Sequence, residues 1–289
     1  MYFLNINKPK GLSSFDVIRN LRKRLKVKQI GHSGTLDPLA SGVLQIAVGN
    51  ATKLLDFLSS DKTYVASLKF GYNSTTFDDE GEKEFIKEPD FSKNELVEVL
   101  NGFIGKSLQI PPKYSAIKIN GKKLCDLARN NAQMPEIKPR EIEIYDIKIL
   151  EFDLHNIKIE VHCKKGTYIR SLAYDIGQKL GCGAYLTDLI RIKAGNFDIN
   201  NSNSLDDVEF HEINPLEAIS LETKELTDFE ISKIINGNFI LKDKNYKNDY
   251  IFLTKNNKLV SLAKIVDNDI RPKKLFKDNI WWELFLKLF

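Results

Sequence analysis

The sequence from residue 31 to residue 42 is Gly31-His32-Ser33-Gly34-Thr35-Leu36-Asp37-Pro38-Leu39-Ala40-Ser41-Gly42. It places one carboxylate, that of Asp37, among small residues and three glycines. Small neighbours allow a substrate backbone to come close, and Pro38 favours an extended backbone at Asp37. Both features suit a side chain that is presented into a cleft. The alternative is a tight turn in which Asp37 caps a helix from Ala40 onward, and the spacing alone leaves both interpretations open.

The composition is that of an ordinary globular protein. The chain has 289 residues, of which 42% are hydrophobic and 28% charged, enough for one large domain and a small one. We find no signal-peptide pattern and no apolar run near the roughly 20 residues that span a bilayer, so we predict no membrane partner. The cysteines Cys125, Cys163 and Cys182 are widely spaced without a C-x-x-C pair, which favours a reducing, cytoplasmic location over a zinc or dithiol site.

Strand and helix patterns alternate irregularly and without a repeated unit, which predicts an α+β domain with a mixed sheet. Helix starts are marked by Ser13-Ser14 and by a capping box at Ser92 to Glu95, and helix ends by Gly102 and Gly181. The predicted elements are strands at 2–6, 62–72 and 157–163, and helices at 15–25, after Ser92, and at 168–180.

A second, smaller module is predicted at the C-terminus. Residues 198–224 are rich in Asn, Asp and Glu without clear periodicity, as in a connecting region. Thr227 to Glu230 then form a capping box, and 250–253 and 259–265 flank Asn256-Asn257 like a hairpin. We therefore predict domains at 1–222 and 223–289, the second β-rich, with the aromatic residues near Trp281 packed against it or the first domain.

The net charge is only +4, so any affinity for nucleic acid must come from a local cluster of cations. Such a cluster lies near the N-terminus. Six cations lie within ten positions: Arg19, Arg22, Lys23, Arg24, Lys26 and Lys28. A solvated helix face explains such a run as well as phosphate binding does.

The segment at 31–42 closely resembles the signature of the TruB family of pseudouridine synthases. Similar blocks follow in the family's order, and the likeness spans roughly residues 5–197. They are at 7–11, 13–14, 51–53, 61–64, 111–116 and 164–172. The resemblance implies a pseudouridine-synthase-like fold, with a mixed, mainly antiparallel sheet flanked by helices and a small PUA-like RNA-binding module at the C-terminus. It also implies isomerisation of uridine 55 in the T-loop of tRNA.

The resemblance implies three catalytic residues. Asp37 is the nucleophile, Arg170 pairs with it, and Tyr64 stacks on the target base. A guanidinium beside a desolvated carboxylate favours its charged form, and an aromatic ring suits an extruded uracil. A surface residue at a helix start is the alternative interpretation of Arg170. From the residues alone, a core residue of a strand is the favoured interpretation of Tyr64.

Further residues are implied to bind the substrate. A uridine stacked in a folded T-loop must be flipped out, and His32, with loop exposure beside Gly31, is the family's residue for that step. Tyr168 and Leu189 line the pocket or belong to the core, and Lys53, Arg19, Arg22 and Lys23 are expected at RNA phosphates. The sequence departs from the family at Ile190-Arg191-Ile192, where consecutive arginines are typical. Basic residues of the second module track RNA or are solvated: Lys242, Lys244, Lys247 and residues 271–274.

The reaction involves no redox change and no phosphate energy, so we predict no cofactor and no metal. We expect a monomer that acts on the T-arm of tRNA. The domain begins within a few residues of Met1, so we expect neither the N-terminal extension nor the guide RNA of the archaeal and eukaryotic relatives. Two other classes compete: a tRNA-binding or RNA-folding protein without turnover, and an aspartyl-phosphate enzyme, which needs a second carboxylate for Mg²⁺.

Overall fold

The computed structural model of the protein describes residues 1–115, 117–119, 121–130 and 135–276. The strands up to residue 222 are β1 (Tyr2–Lys8), β2 (Ile30–Ser33), β3 (Ser41–Val48), β4 (Lys62–Phe70), β5 (Tyr72–Ser74), β6 (Lys83–Phe85), β7 (Gly105–Gln109), β8 (Lys118–Ile119), β9 (Lys122–Lys123), β10 (Arg140–Phe152), β11 (Asn156–Cys163), β12 (Ala184–Ala194), β13 (Phe197–Asp198) and β14 (Asn203–Ser204). The helices there are α1 (Ser14–Leu25), α2 (Lys93–Asn101), α3 (Leu124–Arg129), α4 (Ile169–Leu180) and α5 (Pro215–Ala218), with 3₁₀ segments at Gly49–Phe57 and Ile199–Asn201.

Most of these strands form one ten-stranded sheet in the order β14-β1-β3-β12-β4-β11-β10-β7, with β2 beside β3 and β13 beside β12. The pairings are antiparallel except β1 with β14 and β3 with β12. The β3–β12 pairing is short, joining Ser41 to Ile190 and Gly42 to Arg191. It brings the start of β3, directly after the Asp37 loop, against the middle of β12.

Helices cover the sheet because their apolar faces match those of the strands. Val17, Ile18 and Leu21 of α1 pack in one core with β1 and β3. Leu172 and Ile176 of α4 pack in another core with alternate residues of β4 and β11. The sheet therefore holds α4, and the residues at its N-terminus, in a fixed place above β4.

The C-terminal module is a separate five-stranded sheet in the order β15-β17-β18-β19-β16. Its elements are β15 (Thr223–Glu225), α6 (Asp228–Ile235), β16 (Ile240–Leu241), β17 (Tyr250–Lys255), β18 (Lys258–Val266) and β19 (Asp269–Leu275). Asn256 and Asn257 both have positive φ, 49° and 59°, which a tight turn between twisted strands requires.

The predicted fold class, mixed α+β with a mainly antiparallel sheet and a small β-rich module, is confirmed. The capping boxes at Ser92 and Thr227 and the hairpin at Asn256-Asn257 are present. The strand predicted at 62–72 ends earlier, at Phe70, because Gly71 turns the chain with a φ of 95°. Residues 198–224 do more than connect, since β14 extends the large sheet.

Two predictions about the C-terminal part remain open. The domain boundary at 222 and the PUA-like character of the module stay predictions, and Trp281 lies outside the described residues. Within the described ranges, every helix is too short or too polar to cross a membrane.

Candidate active site

The Asp37 loop, between β2 and β3, is held by α1 and by its own leucines. Ser14 Oγ accepts from Leu36 N (2.9 Å) and donates to Leu36 O (3.1 Å). Leu36 and Leu39 are buried on either side of Asp37. These contacts fix the backbone on both sides of Asp37, while its carboxylate faces the cleft. Because β3 and not a helix follows, the interpretation of Asp37 as a helix cap is wrong.

The carboxylate of Asp37 lies against Arg170. Arg170 Nη2 is 2.8 Å from Asp37 Oδ2, and the side chains are 5% and 37% exposed, respectively. The Asp37 side chain is thus partly exposed in the cleft lining, so a bound base would have to complete its desolvation. Arg170 itself is deeply buried in the first turn of α4, so its interpretation as a surface residue is wrong.

Arg170 is held in place by three further acceptors. Nη1 is 3.2 Å from Asp78 Oδ2 and donates to the Thr76 carbonyl at 3.3 Å, while Nη2 donates to the Tyr114 carbonyl at 3.0 Å. Asp78 is only 2% exposed. One guanidinium therefore joins two carboxylates, and Asp78 fixes the orientation in which Arg170 meets Asp37.

A cleft of about 270 Å³ opens beside Asp37, a volume at the small end of ligand sites. Its aromatic and apolar walls are Tyr64, Tyr168 and Leu189. Its remaining lining is mostly polar or charged: Gly34, Thr35, Leu36, Asp37, Lys62, Ser115, Lys165, Gly166, Thr167, Ile169, Arg170 and Arg191. The structure thus brings together five residues predicted from the sequence: Asp37, Tyr64, Tyr168, Arg170 and Leu189.

The two tyrosines are held as neutral phenols. Burial raises the pKa of the Tyr64 hydroxyl, an effect that nearby Arg191 partly offsets. Burial is also the main cause that raises the pKa of Tyr168. Gln109 fixes the backbone of Tyr168 by accepting from its N–H at 2.8 Å and donating to its carbonyl at 3.1 Å. This side-chain clamp at the start of α4 sets the position of one wall.

Other predicted residues lie outside the cleft lining. His32 is half-buried on β2, opposite Ile46, and not in an exposed loop, because the segment pairs with β3. Its Nδ1 is buried without a hydrogen-bond partner in the described chain, and burial, followed by the charge of Arg191, lowers its pKa. Lys53 lies with its ammonium 6.0 Å from the centre of the Phe276 ring, at the junction with the C-terminal module.

The three predicted phosphate contacts, Arg19, Arg22 and Lys23, are exposed on α1, away from the cleft lining. Their side of α1 is a solvated face, and their contact with RNA stays a prediction.

Sequence reasoning missed Asp78 and Lys62 and gave Arg191 no role. Asp78 stands in an ordinary acidic turn, and only the tertiary fold brings it to Arg170. Arg191 is 1% exposed and donates to the carbonyls of Val43 (2.7 Å) and Gly34 (3.0 Å). The departure noted at Ile190-Arg191-Ile192 therefore leaves one buried arginine at the pocket edge.

Two segments of the chain match models of known protein domains. Residues 22–169 match the N-terminal domain model of the TruB family of pseudouridylate synthases. Residues 170–222 match the C-terminal domain model of tRNA pseudouridylate synthase B. The chain belongs to the TruB family.

Individual relatives agree with the TruB assignment. The tRNA pseudouridine synthase B of Clostridium tetani is 41% identical over 288 residues, covering 94% of this chain and 98% of the relative. That of Clostridium acetobutylicum is 52% identical over 206 residues, 71% of each chain. A chain in a crystal structure of a Cbf5-Nop10-Gar1 complex superposes with a TM-score of 0.72 at 24% identity, covering 97% of this chain and 86% of that one. The last likeness concerns the fold alone.

Proposed function

We propose that this protein converts uridine to pseudouridine at position 55 in the T-loop of tRNA, with base flipping and with Asp37 as the nucleophile. The observation that carries the proposal is the contact of 2.8 Å between the partly exposed Asp37 and the buried Arg170 in the lining of an aromatic-walled cleft. A carboxylate paired with a guanidinium can attack carbon and later leave again.

The cleft suits one extruded base. Its tyrosine walls offer faces for stacking, and its small volume excludes a stacked helix. The chemistry transfers the ribose from N1 to C5 of the same ring, so the ring must detach, turn and rejoin inside the site. Walls on several sides keep the detached ring from escaping.

The partner in this proposal is the T-arm of tRNA, bound by a monomer without a guide RNA. The exposed cations of α1 and of the C-terminal module supply positive charge for RNA phosphates, which positions the substrate without reading its sequence. A cytoplasmic location stays a prediction.

The test compares wild type with Asp37→Asn on a T-arm stem-loop whose uridine carries tritium at C5. Joining C5 to the ribose releases that hydrogen, so tritium in solvent reports turnover. We expect the rate to fall by about 10³-fold or more, while RNA affinity stays close to wild type. Asp56→Asn, at an exposed position of the 3₁₀ segment, is the matched control. Wild type that binds the stem-loop without releasing tritium would instead indicate a non-catalytic tRNA-binding protein.

A further inference from the structure

Two buried cations of the cleft lining, Lys62 and Arg191, have no catalytic role in the account above. Lys62 and Arg191 both line the cleft and are 5% and 1% exposed. They converge beside Gly34, since a methyl group placed there would lie 3.3 Å from Arg191 Nη1 and 3.6 Å from Lys62 Cε. Lys62 also lies on the same face of β4 as Tyr64, two residues away.

The described chain gives neither cation an ion-pair partner. Arg191 donates to backbone carbonyls. Lys62 Nζ donates to Gln45 Oε1 at 3.3 Å and to the Ser59 carbonyl at 3.4 Å, both long for an ammonium. The third ammonium proton of Lys62 is therefore available to a group in the cleft.

Such an arrangement is unfavourable for folding, because a buried charge without an ion-pair partner is costly. Burial, followed by repulsion from Arg191, lowers the pKa of Lys62 to about 8. A surplus of buried positive charge inside a cleft points to a ligand that is negative when it is bound or when it reacts.

The proposed reaction supplies that negative charge. When the C1′–N1 bond breaks, its electron pair stays on the uracil ring, spread over N1, O2 and O4, while Asp37 supplies electrons to the sugar or to the base. C5 then bonds to C1′, the bond to Asp37 breaks with its electron pair returned to the carboxylate, C5 loses its proton, and N1 gains one, so that the product is an isomer of the substrate. Between these steps the detached ring is an anion.

We propose that Lys62, supported by the field of Arg191, donates a hydrogen bond to a carbonyl oxygen of the uracil and stabilises the anionic ring while it is detached. This inference rests on the function proposed above. Fixed cations in a site sheltered from water stabilise developing charge strongly. Lys62 is thus a further catalytic residue, beside Asp37, Tyr64 and Arg170 in the lining of the same cleft.

The test uses the full chain with Lys62→Met, which keeps most of the length of the side chain and removes its charge. The matched control is Lys69→Met, on the same strand but on its other, partly exposed face. We expect the single-turnover rate of Lys62→Met to fall about 100-fold. Its affinity for the stem-loop should stay within about threefold, and its Tm should rise by about 2 °C or more because a buried charge is gone. A merely structural lysine would lower Tm instead.

The pH profile provides a second readout. The groups around Lys62 are Arg191, Asp61, Lys165 and the Cys163 thiol, whose pKa is raised to about 12 by burial. We expect the wild-type rate to decline above about pH 8, and Lys62→Met to lack that step. Lys62→Arg should retain more turnover than Lys62→Met because it keeps the charge.

The outcomes separate the two proposals. An active wild type with an equally active Lys62→Met overturns only the role of Lys62. A Lys62→Met protein that unfolds, or whose loss lies in RNA affinity, also overturns it, since it would mark the lysine as structural or as a phosphate contact. A wild type that binds the stem-loop without turnover overturns the proposed function and this role with it.

Discussion

The carboxylate of Asp37 and the guanidinium of Arg170 meet at 2.8 Å although the aspartate is 37% exposed and the arginine 5%. The arginine is placed by the sheet, α4 and Asp78, so it forms the rigid half of the pair. The aspartate closes a loop whose backbone is fixed by Ser14 and two buried leucines, and its side chain faces the cleft. The reactivity of Asp37 therefore depends on the contacts that orient Arg170, above all its ion pair with Asp78.

Replacing Arg170 by lysine tests whether the fixed guanidinium is needed to position Asp37. A lysine keeps the charge but cannot bridge Asp37 and Asp78 while also donating to the Tyr114 carbonyl. We expect Arg170→Lys to lower the single-turnover rate about 100-fold with affinity for the stem-loop little changed. Filter binding beside rapid-quench kinetics separates the two quantities. A pure loss of affinity would contradict the positioning role.

Asp78→Asn should slow catalysis through Arg170, which contacts both Asp78 and Asp37. It removes the charge that orients Arg170 and leaves part of a buried ion pair unbalanced, so we expect a loss of about 3 kcal/mol in the free energy of unfolding and a slower turnover. Asp79→Asn is the matched control, because its side chain is 61% exposed and pairs with Lys83 on the surface. Equal turnover and equal unfolding free energy of the two variants would contradict a role of the Asp78–Arg170 ion pair in catalysis.

Gly42 marks the closest approach of the Asp37 segment to β12. A methyl group there would lie 2.3 Å from the Arg191 carbonyl oxygen, and φ is 103°. We expect Gly42→Ala to be among the most destabilising substitutions in the chain, by about 3 kcal/mol or more, since overpacking adds to backbone strain. Gly11→Ala has the strain alone, with φ at 89° and nothing within 4 Å. Denaturant unfolding that ranks the two equally would contradict this account.

Buried Lys8 should make the free energy of unfolding depend on pH. Burial lowers its folded-state pKa from 10.5 to about 8, so the unfolded chain binds more protons between these values. Stability from this residue therefore rises as pH increases from about 8 to 10.5. We expect the free energy of unfolding of wild type relative to Lys8→Met to increase across that window by up to about 1.4 kcal/mol per pH unit. A constant or falling difference would contradict it.

Resemblance to one family at several separate motifs named five residues that the fold then brings to one cleft. Asp37, Tyr64, Tyr168 and Arg170 come from separate segments, yet all line the same cleft. Local rules were equally effective for helix starts, since a capping box satisfies its backbone donors within four residues.

The failures have a physical cause in tertiary contacts. A lysine is usually exposed, so nothing local marks Lys62 as buried, and Asp78 differs from its acidic neighbours only by facing Arg170. His32 stands between glycines that favour a loop, but pairing with β3 makes the segment a strand. Partners distant in sequence decided each of these cases.

The central claim is that Asp37 carries out pseudouridine formation in the T-loop of tRNA. The most direct measurement maps pseudouridine in tRNA from cells that lack this protein, complemented with wild type, Asp37→Asn or Asp56→Asn. We predict that position 55 is unmodified without the protein and with Asp37→Asn, and is restored by the other two. Modification at that position in cells that hold only Asp37→Asn would contradict the account.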